Sequence, residues 1–455
     1  MADLWVVVTA VAAAAGARWA LPDPWWVGAA AAGLALWRRW PAVLCVAVLL
    51  LAAGLAHRSL AGATPLPTGP VAGVVTLLDD PVDRFGAVRA TARLGRAHVE
   101  LWARRGAAGQ LRRRLAGEQL TISGRIEPLS PATAERLAHR HVRAQVRVDT
   151  VTGWSPGDAA STAANRIRRT IEDGARVLPR TDRSLFLGFV LGDDRSQSAA
   201  VVLTFRQSGL AHLTAVSGQN VSFLLLLASP GLHRLGLRGR WLGTLALIAW
   251  FALLTRFEPS VLRASVMAGL AATSVFLARP ASSVRLLALA VTGLLLLDPL
   301  LVWSVGWWLS VGATAGIVVL AGPLAAALPG PRPLALAVGV TFAAQLGVAP
   351  VQLLAFGPLP LASIPANLLA GPVAGPVMVW GLPAGLGAGV APEWMAHLLH
   401  LPTQAGVRWI HLVAQLGQAA PLPSVGWPVV TAAHLGAVVI AARWARHGGR
   451  REPGP

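Results

Sequence analysis

Polar side chains are sparse in this chain, so the places where they cluster define the chemistry it can do. The first cluster is Ser208-Gly-Leu-Ala-His-Leu-Thr-Ala-Val-Ser-Gly-Gln-Asn-Val221, which holds His212, Ser217 and Asn220 and runs straight into the apolar Phe223–Leu227. Glycines at 209 and 218 predict an interrupted or re-entrant helix there. A serine near a histidine also admits a Ser–His hydrolase with Ser217 as nucleophile. Val216-Ser217-Gly218 lacks the G-x-S-x-G elbow, however, and no second histidine is well placed. A second cluster is Phe257-Glu-Pro-Ser-Val-Leu-Arg-Ala-Ser-Val-Met267. Glu258 and Arg263 are five apart, poor spacing for an i,i+4 pair, but Pro259 can bend the chain so that Glu258 holds Arg263. Further polar groups stand in Asp298–Ser310, in Gln345-Leu-Gly-Val-Ala-Pro-Val-Gln352 and in Ile364-Pro-Ala-Asn-Leu-Leu369.

A third kind of cluster is basic. Arg104, Arg105, Arg112, Arg113 and Arg114 surround a Gly-containing loop beside Trp102. Arginines next to an aromatic suit a phosphate backbone with a stacked base; a solvated loop with Trp102 in a core is the plain alternative. The one cysteine, Cys45, excludes an internal disulfide and a CxxC site. His57, His98, His139 and His141 lack metal-ligand spacing, so no metal or cofactor is expected.

The elements that must position these residues are set by hydropathy. Of 455 residues 55% are hydrophobic and 13% charged, with mean hydropathy +0.58. That is about half the charge of a soluble domain, so the chain is expected to be a polytopic membrane protein. All 39 basic residues are arginine against 20 acidic residues, net +19; this suits phosphate partners and lipid headgroups equally, and codon bias explains much of the Arg-for-Lys choice. No basic region precedes the first apolar stretch, so a cleavable signal peptide is not expected.

Apolar stretches at Leu4–Leu21, Trp25–Trp37 and Pro41–Ala56 come first. Arg38 and Arg39 put the loop between the last two in the cytoplasm, which sends Gly62–Asp158 outside. Later spans are expected near 221–235, 241–254, 260–277, 285–297, 301–320, 334–356, 368–390 and 425–444, with backbone breaks in Leu359–Pro383 and an amphipathic segment at His400–Leu416. Arginines 443, 446, 450 and 451 favour a cytoplasmic C-terminus.

Between Gly62 and Asp158 the pattern changes to short alternating runs: 71–78, 87–94, 98–103, 119–126 and 142–151. In the last, Val142, Ala144, Val146 and Val148 alternate with Arg143, Gln145, Arg147 and Asp149, the signature of a half-buried strand. Five such strands suit a small β-barrel of the OB type. Residues 61–180 carry 19 arginines against 11 acidic residues. From Thr162 to Leu178 the pattern is that of an amphipathic helix on a membrane surface.

In their order and spacing the four later segments resemble the ComEC family of competence proteins: the Gly-Leu-x-His-Leu…Ser-Gly strip around His212, the Pro-Ser-x-x-Arg-Ala helix around Arg263, and the two segments that follow. The resemblance covers about 184–442, and more loosely the OB-like region. It implies a polytopic α-helical membrane protein with a small extracytoplasmic OB-like β-barrel after the N-terminal helices. Its parts would be 1–61 (transmembrane helices), 62–160 (OB-like), 161–447 (multi-span competence-type) and 448–455 (basic tail). The implied function is a cell-membrane channel for single-stranded DNA, not an enzyme. The implied partners are single-stranded DNA, the bilayer, a DNA receptor, a separate nuclease and a cytoplasmic DNA translocase. His212, Ser217, Asn220, Glu258, Arg263, Gln345 and Asn367 would line the channel or lock its helices; bonding among themselves in a packed bundle is the equal alternative. Two positions depart from the family, Asn220 for His and Trp308 for Gln. No HxHxDH motif occurs before Pro455, so the metallo-β-lactamase-like domain of many relatives is not expected. The family's C-terminal domain is placed outside, against the positive-inside reading of the tail. A transporter of a smaller substrate remains the other class.

Overall fold

The computed structural model describes residues 3–22, 24–62, 66–214, 216–420 and 422–448. Ala215, and Arg450 and Arg451 of the basic tail, lie outside them. The chain forms two compact units. The first runs from the N-terminus to Asp173 and adds Ala246–Glu258 and Ala288–Ser304; the second comprises Gly174–Leu245, Pro259–Leu287 and the residues from Val305 onward.

The first unit opens with helices α1 (Asp3–Trp19), α2 (Trp25–Arg38) and α3 (Pro41–Ala61). Pro41 sits at the start of α3, where its missing N–H costs nothing. The three apolar stretches are thus all helical. Small residues let α1 and α2 close onto α3: a Cβ on Gly16 would lie 2.1 Å from the Leu49 carbonyl oxygen.

The strand region then reads β1 (Gly69–Leu77), β2 (Val82–Arg84), β3 (Ala87–Leu94), β4 (Ala97–Ala103), helix α4 (Arg105–Arg112), β5 (Gln119–Glu127), α5 (Pro131–Leu137) and β6 (Val142–Ser155). All five expected strands are present, and the alternation in β6 does bury Val142, Ala144, Val146 and Val148. Three details differ. A sixth strand, β2, was too short for periodicity to reveal. The middle of the arginine segment, Arg105–Arg112, is a helix rather than a loop, because Ala107, Ala108 and Leu111 fall on one face and enter the sheet core. Third, the strands form a six-stranded sheet in the order β1-β5-β6-β4-β3-β2 rather than a fully closed barrel: β1 reaches β3 only through Val75, Thr76 and Leu77. β4 and β6 are parallel, the other pairs antiparallel. The core is aliphatic, with Leu77, Leu101, Leu120 and Ile122 each 1% exposed or less; such side chains contribute about 1.5–3 kcal/mol each. Helix α6 (Ala159–Gly174) follows.

The rest of the chain is helical: α7 (Arg180–Leu191), α8 (Ala199–Gln207), α9 (Gly218–Leu232), α10 (Leu237–Leu254), α11 (Pro259–Phe276), α12 (Ser283–Leu297), α13 (Val305–Ala327), α14 (Arg332–Phe356), α15 (Ser363–Ala388), α16 (Glu393–Ala419) and α17 (Trp427–Gly448). Among the described residues, α3, α10, α11, α13, α14, α15 and α17 are long and apolar enough to cross a membrane, and α12 is a shorter apolar helix. This is a polytopic helical membrane protein.

Several span expectations need correction. The run expected at 221–235 is the 15-residue α9, and α1 and α2, at 17 and 14 residues, are likewise not among the span-length helices. The segment expected at 301–320 starts at Val305 and runs to Ala327, because Asp298 caps a separate 3-10 turn over Pro299–Trp303 by accepting from the Leu300 N–H at 3.1 Å. The break expected in Leu359–Pro383 ends at Ser363: α15 continues through Pro372, Pro376 and Pro383. Neighbouring helices can re-satisfy the backbone that a proline frees within a membrane. The amphipathic segment at 400–416 is the middle of α16, which buries His400, Thr403, Val407, Ile410 and Ala414 on one face. Within the second unit, α13 and α14 pack tightly: a Cβ on Gly316 would lie 2.1 Å from the Ala343 oxygen, and one on Gly347 2.1 Å from the Gly312 oxygen. The Gly312…Gly316 spacing is the small-xxx-small pattern of close helix pairs.

Candidate functional site

The second unit contains the interrupted strip. Ser198 caps α8 by accepting from the Val201 N–H, and the helix stops at Gln207. Gly209 then turns with φ 76, a value that suits glycine. A 3-10 turn over Ala211–Leu213 follows, and α9 starts at Gly218 with Ser217 extended before it. The expected interruption is present.

The first turn of α9 is fixed by hydrogen bonds. Ser217 Oγ donates to Asn220 Oδ1 at 3.3 Å, and Asn220 Nδ2 donates to the Phe189 carbonyl at 3.0 Å. Ser260 Oγ donates to the Val216 carbonyl at 2.8 Å, tying α11 to the strip. One turn along α11, Arg263 Nε donates to Ser310 Oγ at 2.9 Å and its Nη1 lies 3.3 Å from Met267 Sδ. A Cβ on Gly218 would fall 2.5 Å from Arg263 Nη2 and 2.8 Å from the Ala264 Cβ. Glycine here lets a guanidinium lie against the start of α9.

Arg263 is only 8% exposed, and its hydrogen-bonding partners are a hydroxyl and a thioether. The expected tether, Glu258, is exposed; Ser310 holds the guanidinium instead. Sequence spacing could not show this, because Ser310 is 47 residues away on α13. A buried cation with neutral partners beside a helix N-terminus, itself the positive end of a macrodipole, makes a region of positive potential.

The structure therefore brings Ser217, Asn220 and Arg263 together. His212 is exposed, and among the described residues no hydrogen bond links it to Ser217. Gln345 is half-buried on α14, and Asn367 Nδ2 returns to the Ser363 carbonyl one turn earlier at 2.7 Å. A motif that sequence reasoning missed is the buried Asp182, which accepts from Gln404 Nε2 at 3.1 Å and Arg408 Nε at 2.9 Å.

In the first unit the arginine cluster is divided. Arg112 forms a two-pronged bond to Asp83 at 2.6 and 2.9 Å, and this guanidinium holds the Asp83 carboxyl below its usual range. Arg114 lies over the Trp154 ring, 4.9 Å from its centroid. Arg104, Arg105 and Arg113 are exposed and form no ion pair among the described residues. Trp102 is half-buried and donates to Glu100 at 2.8 Å, which makes it a poor stacking platform. Among the described residues of the strand region the most exposed aromatic is Phe85, at the tip of the β2–β3 hairpin and 95% exposed. Phe85 and Gly86 have φ of 50° and 76°, so a bulky residue occupies a turn position usually given to Asn or Asp. Asp83, the partner of Arg112, is on the same hairpin.

Below this surface lies a buried ionic network. Asp80 accepts from Arg168 at 2.8 Å, from Arg256 at 2.9 and 3.3 Å, and from the Ala116 N–H at 2.8 Å. Arg256 also donates to Asn165, whose amide donates to the Ala116 carbonyl. Arg169 of α6 bonds Glu118, which is 2% exposed. The helix expected to lie on a membrane surface is thus clamped to the sheet through Asn165, Arg168 and Arg169. No cluster of His, Cys, Asp and Glu suited to a metal occurs among the described residues.

Residues 189–447 match the family model described as Competence protein. The chain is 31% identical over 208 residues to the protein YcaI of Escherichia coli (strain K12), covering 42% of this chain and 27% of that protein. It is 24% identical over 263 residues to ComE operon protein 3 of Bacillus subtilis (strain 168), covering 56% of this chain and 34% of that protein. The matches thus span about a third or less of these relatives. No solved structure matches the chain.

Proposed function

We propose that this chain, which belongs to the competence protein family, passes single-stranded DNA through the cell membrane into the cytoplasm as a channel, without a catalytic step of its own. The family match over residues 189–447 carries the reading, since competence is the uptake of DNA. Arg263 supports it. A polyanion needs water, donors and positive potential along its path, and a buried guanidinium held by neutral groups supplies the last two. A transporter of a smaller anion would use the same group. Serine hydrolysis is disfavoured, because the Ser217 hydroxyl is directed to Asn220. A DNA receptor, a separate nuclease and a cytoplasmic translocase are the further partners of this reading.

The strand region is read as OB-like. Its support is the β1–β3 pairing, the parallel β4–β6 pair and the helix between β4 and β5. OB folds bind oligonucleotides through loops that include the one between their first two strands, and here that connection carries β2 and Phe85. Phe85 is therefore the proposed base-stacking residue, with Arg104, Arg105 and Arg113 on phosphates. The test is DNA binding by the purified full chain. Phe85→Ala should weaken binding by about 1–3 kcal/mol. Replacing Arg104, Arg105, Arg112, Arg113 and Arg114 with Gln should flatten the slope of log K against log salt by about two units, since three arginines are uncommitted and each phosphate accounts for about −0.7. Unchanged binding in both variants would remove this surface from the DNA path.

The region is proposed to face outside the cell, from Arg38 and Arg39. Gln110 is exposed on α4 and the native Cys45 is buried, so Gln110→Cys gives a clean reporter. It should react with an impermeant maleimide in intact cells. Reaction only after lysis would reverse the orientation.

A further inference from the structure

A cleft of about 320 Å³ opens in the first unit. One wall is apolar: Leu55 of α3, with Leu296 and Leu297 at the end of α12. The other is basic: Arg58 near the end of α3, with His141 and Arg143 from the start of β6. Leu297 is 82% exposed.

The two arginines have no anionic partner among the described residues. Arg58 lies over the Trp25 ring, 5.9 Å from its centroid. Among the described residues neither Arg58 nor Arg143 forms an ion pair or a hydrogen bond. His141, by contrast, is engaged by Asp298 at 3.1 Å. Backbone register explains how Arg143 comes to face the cleft. Along the β4–β6 pair, His98 is opposite Val142 and Val99 is opposite Ala144, so Arg143 is the extra residue of a bulge. Bulges re-aim side chains, and they are uncommon in parallel pairs. The Arg143 guanidinium then lies at the end of α3, its Nη2 4.0 Å from where a Cβ on Gly62 would be.

The setting indicates the ligand. α3 is long and apolar enough to span a membrane, and α12 is a shorter apolar helix that ends in a run of leucines. Their last turns are where hydrocarbon gives way to headgroups. A phosphate needs the planar donor fork that each guanidinium offers. Leucines beside that phosphate need an alkyl chain. We propose that this cleft binds an anionic phospholipid, with its phosphate on Arg58 and Arg143 and the first part of an acyl chain along Leu55, Leu296 and Leu297. The site is independent of DNA passage. It would anchor the base of the strand region to the bilayer.

The test uses the full chain purified in detergent, with bound lipids counted by native mass spectrometry during titration with dioleoylphosphatidylglycerol or dioleoylphosphatidylcholine. The wild type should retain phosphatidylglycerol preferentially. Arg58→Gln with Arg143→Gln should lower its affinity about tenfold or more, since both charge-assisted contacts to the phosphate are lost. The same change at Arg238 and Arg240, outside the cleft, should leave it unaltered. Leu297→Gln keeps both guanidinia and alters an exposed side chain, so it tests the acyl contact in a folded protein; retention should fall severalfold. Equal retention by the double variant and the wild type would overturn the proposal. So would displacement of the lipid by millimolar inorganic phosphate, which would make the cleft a free-anion site, or loss of the preference for phosphatidylglycerol.

Discussion

Asp80→Ala is expected to cost the first unit about 3–5 kcal/mol, because it removes the carboxylate that two buried guanidinia share. Arg168 is 3% exposed at its side chain and Arg256 11%, and both bond Asp80 together with the Ala116 N–H. Taking away the carboxylate leaves two largely buried positive charges without this counter-charge, and the Ala116 N–H loses its acceptor. The measurement is thermal unfolding of the detergent-solubilised protein, with proteolysis of the strand region as a second readout. Asp80→Asn should cost less, since it keeps the shape and one acceptor. The diagnostic variant is Asp80→Leu combined with Arg168→Met and Arg256→Met. A buried ionic group exchanged as a whole for apolar residues of similar volume is often neutral, so the triple change should be milder than Asp80→Ala alone. A triple variant as unstable as the sum of its parts would show that the network stabilises by more than mutual neutralisation.

Arg263→Ala is expected to reduce uptake of labelled DNA about ten- to hundredfold at matched membrane levels, as for loss of a hydrogen bond to a charged group worth about 1.5–3 kcal/mol. The geometry orders the neighbouring variants. Gly218→Ala should reproduce much of the loss, because its Cβ would fall 2.5 Å from Arg263 Nη2 and displace the guanidinium. Ser310→Ala should give a smaller loss by freeing Nε, and Glu258→Gln should do little, since Arg263 is held by Ser310. Ser217→Ala should also be mild. Normal uptake with Arg263→Ala would take this residue off the path. Abolished uptake with Ser217→Ala alone would revive the hydrolase reading.

Much of this was determined by the sequence itself, for reasons of local physics. Helices that must satisfy their own backbone in lipid need long apolar runs, so α3, α10, α11, α14 and α17 could be read from hydropathy. The strand region was legible because a sheet with one buried face alternates, as Val142–Val148 does. The glycines at 209 and 218 marked the interruption before α9. What the sequence left open were the pairings between distant residues. Periodicity cannot show that Asp80 meets Arg256 176 positions later, or that Ser310 rather than the nearby Glu258 holds Arg263. A three-residue strand such as β2 has too few positions for a period, so the Phe85 hairpin could not be foreseen. The Arg104–Arg114 segment looked like a loop because its arginines dominated the composition; three small or apolar residues facing the sheet core made its middle, Arg105–Arg112, a helix. Continuity of α15 through three prolines was likewise not legible, since the groups that satisfy the carbonyls a proline leaves unpaired need not be near it in sequence.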